Sequence, residues 1–431
     1  MYDWANSAYN LVITSTIFPA FYIAITTQKD KNDVVLNNKV KFFGHTFAND
    51  ALFTYTLSAA YMVIVLLSPI LSSIADYKGN KKAFMRLFCY MGSAACCSLA
   101  LFDTSRLEFG MISFAIAAIG YCGSIVFYNA YLPEIAVEED RDRVSAQGFA
   151  YGYIGSVILQ VICLVFVLLP EKFGITDPLL PPKLSFLLTG LWWFGFAHIT
   201  FAKLPKGQPL HADREHSLIV NGFYELRKVW GQIKQLKVLS TYLFAFLFYS
   251  MGVQTVMLAA TIFGSTEVRT ADSKNLGTPQ LIITILIIQL VAIAGAYLMA
   301  KLSDLIGNLQ VLLLVVGIWI GVCIGAYFTH TDIQFYILAA IVGLVMGGIQ
   351  SMSRSTYSKL MPPTHDTASF FSFYDVTEKI AIVIGTASFA YISEQTGDMR
   401  KSILMLVGYF FIGGVILYLA IRKQKGNRLK G

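Results

Sequence analysis

Long apolar runs, interrupted by short polar intervals, follow one another along almost the whole chain. Six fall in the first half: Tyr9–Thr27, Ala51–Ala75, Ala83–Phe102, Phe109–Leu132, Ala146–Leu169 and Leu184–Phe201. Six more follow: Val238–Phe263, Pro279–Leu302, Val311–Phe328, Ile333–Tyr357, Ser369–Ile392 and Ile403–Ile421. A run of about 18 residues or more crosses a bilayer as a helix at about 1.5 Å per residue. Strands of a membrane barrel would instead show alternating segments of about ten residues, and that pattern is missing. The first run follows Asp3 rather than a basic segment and has no small-residue cleavage site, so it is expected to be the first span itself. The predicted fold class is an all-α integral membrane protein with twelve transmembrane helices.

The polar intervals carry their own information. If both termini are cytoplasmic, roughly 21 of the 33 Lys and Arg residues fall on the cytoplasmic side, the bias expected of inner segments. The longest interval, from about Ala202 to Lys237, contains Ile219, Phe223, Leu226, Trp230 and Ile233 at spacings of four, three, four and three. Those positions share one helix face, with Arg227, Lys228 and Lys234 on others, which predicts an amphipathic helix on the cytoplasmic membrane surface. The expected organisation is a bundle of six helices over residues 1–203, a linker over 204–237, and a second such bundle over 238–431.

The two bundles resemble one another in sequence. Asp76-Tyr-Lys-Gly79-Asn80 follows the second run and Asp304-Leu-Ile-Gly307-Asn308 follows the eighth, 228 residues later. Independently, the fourth and tenth runs end at Pro133 and Pro362, 229 residues apart. Two landmarks with nearly the same offset indicate an ancestral six-helix repeat, and so two bundles related by a pseudo-twofold axis.

Composition narrows the function. Hydrophobic residues make up 56% of the chain and charged residues 14%, against roughly a quarter charged in soluble domains. The net charge of +7 is spread over loops between apolar runs, which argues against nucleic acid as a partner. The six cysteines, at 89, 96, 97, 122, 163 and 323, lie in apolar stretches without CxxC spacing and read as small apolar side chains. No Walker loop, HExxH or GxSxG string occurs, so neither a cofactor nor ATP hydrolysis is expected.

The Asp-x-x-Gly-Asn-Lys-Lys loop at Asp76–Lys82 resembles the signature loop of the major facilitator superfamily, with Ser72 and Tyr77 where that family usually has glycine and arginine. A narrower resemblance lies in Tyr2-Asp-Trp-Ala-Asn-Ser-Ala-Tyr9 with Thr16-Ile-Phe-Pro19, in Ser145-Ala-Gln-Gly148 through Gly155, and in Gly347-Gly-Ile-Gln350-Ser-Met-Ser-Arg354 with Phe370 to Tyr374. These strings are similar to those of the vacuolar amino-acid effluxer family, which includes bacterial "unknown major facilitator" proteins. The resemblance implies twelve helices, a central cavity and, for the vacuolar members, export of amino acids. It also implies gating by Asp76 and Gly79, and the repeat extends that expectation to Asp304 and Gly307.

Charges inside apolar spans locate candidate chemistry, because an unpartnered Lys or Arg at a helix centre costs roughly 2.5–3.5 kcal/mol on insertion scales. Lys379 lies about ten residues into the eleventh run, with Asp375 one turn before it and Glu378 adjacent. The group reads either as a structural ion pair or as a substrate and proton site. Arg354 suits a substrate carboxylate or an inner gate, and Gln350 shares its face. Leading into and along the first run, Asp3, Asn6, Ser7, Asn10 and Thr14 form a polar stripe. Tyr128, Asn129, Gln147, Tyr151, Gln254 and Tyr374 complete the substrate-binding candidates, while Asp3, Asp375 and Glu378 are the proton-coupling candidates. Gly148, Gly152 and Gly155 are expected to allow close helix packing.

The reading that unites these features is a secondary transporter of amino acids or another small zwitterion, exporting by alternating access. It is expected to be a monomer in the bilayer of a bacterial inner membrane, or of a vacuole if eukaryotic. Rival readings are a facilitator of organic anions, peptides or drugs, a membrane acyltransferase using the His45-x4-Asp50 string, and a non-transporting receptor. His211, Asp213, Glu215 and His216 could ligate a metal, but a polar linker accounts for them more simply, so no metal is expected.

Overall fold

The computed structural model describes residues 1–30, 35–205, 218–270 and 274–428. His211, Asp213, Glu215 and His216 lie outside the described residues. Among those described, twelve helices are long and apolar enough to cross a membrane. Numbered as spans in chain order, the first six are Tyr2–Thr26, Asn49–Lys78, Lys81–Leu101, Thr104–Ile135, Glu138–Leu168 and Leu180–Lys203. The second six are Lys237–Glu267, Pro279–Ile306, Asn308–Tyr327, Asp332–Leu360, Thr367–Thr396 and Met399–Gly426. Many run past the apolar stretch that predicts them, because backbone hydrogen bonding continues into the polar residues at each end.

Span 1 departs furthest from expectation. It starts at Tyr2 rather than near Tyr9, which places Asp3 and Asn6 inside the helix, and both are buried. At Asn10–Thr16 it widens into a π-helix of 7 residues. Thr16 closes this segment at φ −130 and ψ −80, with Oγ1 2.7 Å from the Leu11 carbonyl and 2.9 Å from Gln160 Oε1. Such wide turns are inserted residues that recur at functional sites.

Two hairpins follow span 1. Strand β1 (Gln28–Lys29) pairs antiparallel with β2 (Val35–Asn37), and β3 (Lys39–Phe42) with β4 (His45–Ala48). The turn of the second hairpin holds Phe43 at φ 46 and Gly44 at φ 80, the two left-handed residues that a tight two-residue hairpin requires.

The chain forms two compact units. Unit 1 contains Met1–Ser68, Asn80–Tyr128 and Gly152–Gln208; unit 2 contains Pro69–Gly79, Asn129–Tyr151 and Pro209–Gly431. In unit 1, span 6 packs on spans 1 and 3, and Gly155 lets span 5 approach Trp4 so closely that an added Cβ would lie 2.8 Å from its carbonyl oxygen. Gly152 meets Ser7 in the same way, so these two glycines serve packing as expected. In unit 2, span 10 packs on spans 8 and 9, and span 7 on spans 11 and 12. A Cβ on Gly347 would lie 2.0 Å from the Ala292 carbonyl oxygen, so spans 8 and 10 meet backbone to backbone there.

The amphipathic linker helix covers Leu218–Gln235 and belongs to unit 2. Its apolar positions divide between two faces. Val229 and Ile233 are buried, whereas Phe223, Tyr224 and Trp230 are exposed, with Trp230 stacked on Phe373 at 5.5 Å. The single apolar stripe read from the sequence is therefore split by tertiary packing.

Candidate functional site

Unit 2 holds a cluster of charges in the middle of span 11. Asp375, Glu378 and Lys379 occupy adjoining turns of one apolar helix, and the i,i+4 spacing brings Lys379 Nζ to 3.4 Å from Asp375 Oδ1. The same ammonium lies 3.0 Å from Glu378 Oε2, although the two residues are sequence neighbours. Gln254 of span 7 donates from Nε2 to Glu378 Oε1 at 3.1 Å, fixing the carboxylate from a second helix. The side chains of Asp375 and Lys379 are 2% and 7% exposed, and that of Glu378 is 25% exposed. Asp375 Oδ2 is buried with no hydrogen-bond partner among the described residues.

Two carboxylates and one ammonium leave this cluster with a formal excess of one negative charge. Burying charge in low dielectric is costly unless it is paired, so the excess favours binding of one further cation or one proton. Glu378 is the most exposed member of the cluster. Aromatic walls bound the cluster along span 11: Tyr374 stacks on Phe246 at 4.3 Å and lies 5.1 Å from Tyr357. Tyr249, beside Phe246, holds its hydroxyl 2.7 Å from that of Ser353.

A second set of polar residues sits in unit 2 where spans 10 and 11 meet segments 69–79 and 129–151. Arg354 donates from Nε to the Ser145 hydroxyl at 3.0 Å and from Nη2 to the Ser145 carbonyl at 2.9 Å. Its Nη1 donates to Asn129 Oδ1 at 3.2 Å, and the guanidinium lies over the Phe149 ring at 4.4 Å. Asp76 accepts the Ala368 N–H at 3.2 Å, the Ser369 N–H at 2.7 Å and the Ser369 hydroxyl at 2.8 Å. These are unsatisfied donors of the first turn of span 11, so Asp76 caps a helix from outside it and also meets the positive end of its dipole.

The second copy of the loop behaves differently. Gly79 and Gly307 both hold positive φ, at 61° and 88°, which an L side chain would resist. Asp304, however, is exposed. The carboxylate on this side is Asp142, in the first turn of span 5. It accepts from Lys359 Nζ at 2.6 Å, Asn308 Nδ2 at 2.6 Å and the Ser303 hydroxyl at 2.8 Å. The polarity of the repeat is thus inverted. In one copy the loop supplies the acid and the helix start donates; in the other the helix start supplies the acid and the loop donates.

Unit 1 carries the polar stripe of span 1. Tyr128 donates its hydroxyl to Asp3 Oδ2 at 2.6 Å. Asn6 is buried with Nδ2 lacking a partner among the described residues, and Asn10 is exposed at the start of the π-helix.

The structure therefore joins Asp375, Glu378, Lys379 and Gln254 in one cluster, Arg354 with Asn129, and Asp3 with Tyr128. It leaves Gln147 and Tyr151 exposed one turn apart and Gln350 half-buried. Asp142, Lys359, Ser145 and Ser369 escape sequence reasoning as polar partners. Asp142 sits within Glu138-Glu-Asp-Arg-Asp-Arg143, a run that reads as a solvated surface, and only its burial sets it apart. His45 is exposed in β4 opposite Phe42, and Asp50 accepts from the Ala51 amide that follows it.

Comparison with known proteins fits this architecture. Residues 1–431 match the family described as "Vacuole effluxer Atg22 like". An uncharacterized MFS-type transporter, YxiO of Bacillus subtilis (strain 168), is 32% identical over 97% of this chain and 92% of its own. Autophagy-related protein 22-1 of Penicillium rubens is 24% identical over 88% of this chain and 76% of its own. Among solved structures, the E. coli fucose:proton symporter FucP superposes with a TM-score of 0.68 at 15% identity, covering 97% of this chain and 96% of its own. The proton:xylose symporter XylE gives 0.70 at 10% identity, covering 97% and 93%. At such identities these two show the fold alone.

Proposed function

The chain belongs to the vacuole effluxer Atg22-like family of major facilitator transporters, and on that premise we propose that it exports amino acids in exchange for protons. The observation that carries the proposal is the Asp375–Glu378–Lys379 cluster in the middle of a membrane span. A zwitterion needs one group of each sign to meet it, and the cluster offers both. Lys379 is the partner for the carboxylate, and Glu378, oriented by Gln254, is the partner for the ammonium. Asp375, whose second oxygen is buried without a partner among the described residues, is the group that takes up the proton once substrate has left. Coupling follows from charge balance: the one excess negative charge of the cluster is met either by a proton or by the substrate ammonium, so the two compete for it and cross the membrane in opposite directions.

The gate in this proposal is the polar set at the ends of spans 8 to 11. The bonds of Asp76, Asp142 and Arg354 hold segments 69–79 and 129–151 against those span ends, and opening that face requires breaking them. Arg354, with its fork fully engaged, acts in the gate rather than on substrate. The positive bias of the loops supports a cytoplasmic position for this face and for both termini in a bacterial cell, with the exposed aromatic face of the linker helix on the membrane surface. The exporter works as a monomer.

The test is counterflow in proteoliposomes: labelled amino acids are exchanged by the purified protein, with Lys379→Ala and Asp375→Asn alongside. Amino-acid exchange that disappears in Lys379→Ala, while Asp375→Asn keeps exchange but no longer responds to an imposed pH gradient, is the expected result. Undiminished transport by Lys379→Ala removes the central element. Exchange of organic anions but not of amino acids replaces the substrate class.

A further inference from the structure

A second polar site lies on unit 1, on the outer surface of spans 3 and 6. Span 3 (Lys81–Leu101) has 21 residues, about 31 Å at 1.5 Å per residue, which matches the hydrocarbon thickness of a bilayer of about 30 Å. Arg86 is five residues inside it, so its Cα lies about 8 Å below the hydrocarbon boundary. Arg86 is nonetheless exposed, and its guanidinium lies over the Phe201 ring of span 6 at 5.3 Å. Among the described residues it makes neither an ion pair nor a hydrogen bond. Phe201 is two residues from the end of span 6, so the guanidinium reaches toward the boundary along the neighbouring span.

One turn deeper on the same face, Tyr90 is 37% exposed and meets the exposed His198 of span 6, with the hydroxyl 3.1 Å from Nε2. His198 Nδ1 lies 2.7 Å from the Phe194 carbonyl, which can only accept, so Nδ1 carries a proton. In the neutral ring Nε2 is then the acceptor, and Tyr90 donates to it. Deeper still, the surface turns apolar, with Phe194 44% and Leu191 54% exposed. These exposed apolar neighbours mark the face as lipid-facing. At the boundary itself, Lys203 is exposed at the end of span 6.

From the boundary inward this face therefore runs cationic, then hydrogen-bonding, then aromatic and aliphatic. That order matches an amphiphile with an anionic head, a polar neck and a hydrocarbon tail. We propose that the outer face of spans 3 and 6 is a binding site for one anionic phospholipid. Arg86 and Lys203 take the phosphate, the Tyr90–His198 pair faces the glycerol ester region, and Phe194 and Leu191 line the acyl chain. Charge complementarity selects the occupant: two exposed cations with no acid among their contacts suit a head of net negative charge, and a zwitterionic head brings its own cation into conflict with them.

The test is thermal unfolding of the purified protein in detergent with added dioleoylphosphatidylglycerol, dioleoylphosphatidylcholine or inorganic phosphate. The expected result is a melting point raised by phosphatidylglycerol at least fivefold more efficiently, in half-saturating concentration, than by phosphatidylcholine, with no response to phosphate. That preference should vanish in Arg86→Gln and shrink in His198→Leu, while the response to phosphatidylcholine stays as in the unaltered protein. Equal responses to the two lipids overturn the proposal. So does a preference that survives in both variants. A response to phosphate alone reduces the face to a general anion site and overturns the lipid assignment. Should Arg86→Gln fail to fold, Arg86→Lys and His198→Leu keep the comparison open, since only a site using the planar fork loses preference in the lysine variant.

Discussion

Replacing Asp142 with Asn tests the gate where its geometry is tightest. The substitution keeps the shape of the side chain but removes the charge that accepts from Lys359 Nζ and Asn308 Nδ2, both at 2.6 Å, and from the Ser303 hydroxyl at 2.8 Å. Removing one partner of a buried ion pair costs about 3–5 kcal/mol. The side chain of Asp142 is 2% exposed and that of Lys359 is 19% exposed, so the lysine regains part of its hydration and the lower end of that range applies. About 3 kcal/mol taken from the closed arrangement moves the balance towards the open one about a hundredfold, at roughly 1.4 kcal/mol per factor of ten. Ser355, fully buried in span 10 beside Arg354, reports that shift when changed to Cys. In membrane vesicles its labelling by a water-soluble thiol reagent is limited by how often this face opens. Asp142→Asn should raise the labelling rate by between ten- and a hundredfold, and adding Lys359→Gln should raise it little further, because the pair is already broken. Unchanged labelling in correctly folded Asp142→Asn protein would refute the reasoning, because the network would then be present equally in open and closed forms.

Other expectations follow from the same contacts. Asp76→Ala removes a cap that serves two backbone amides and one hydroxyl, and should lower stability by about 1–2 kcal/mol, read as a fall in melting temperature; Asp304→Ala, at an exposed carboxylate, should leave it unchanged. Tyr128→Phe loses the hydrogen bond to Asp3 and should cost about 1.5–3 kcal/mol of stability, seen in the same melt. Gly347→Val drives a side chain into the Ala292 carbonyl and should abolish monodisperse protein on size exclusion; Gly408→Ala, with nothing near an added Cβ, should not.

Much of the candidate site is legible in the sequence. The Asp375–Lys379 pair is a consequence of helical spacing, and a lysine amid apolar residues announces itself because its burial has to be compensated. Gln254 stands out as a lone amide in span 7, but its bond to Glu378 depends on how spans 7 and 11 face each other, which no local pattern encodes. Asp142 was hidden for the opposite reason: it is surrounded by other charges, and only packing separates it from Asp140 and Arg143, which form an ordinary surface pair at 3.0 Å. The inverted polarity of the repeat was equally out of reach, because Asp76 and Asp304 occupy matching positions and differ only in what lies opposite them.

The membrane-spanning class, the twelve helices and the twofold internal repeat follow from the order of residues along the chain. Each depends on local chemistry: backbone groups in hydrocarbon must bond within their own segment, so an apolar run of sufficient length has one viable conformation. Tertiary structure alone decided which polar side chains in those helices have partners. It buried one face of the linker helix and left the other exposed, and it turned Asp142 inward and Asp304 outward. Those outcomes depend on contacts between residues far apart in the chain, where an error of one position in helix rotation turns a side chain by about 100°.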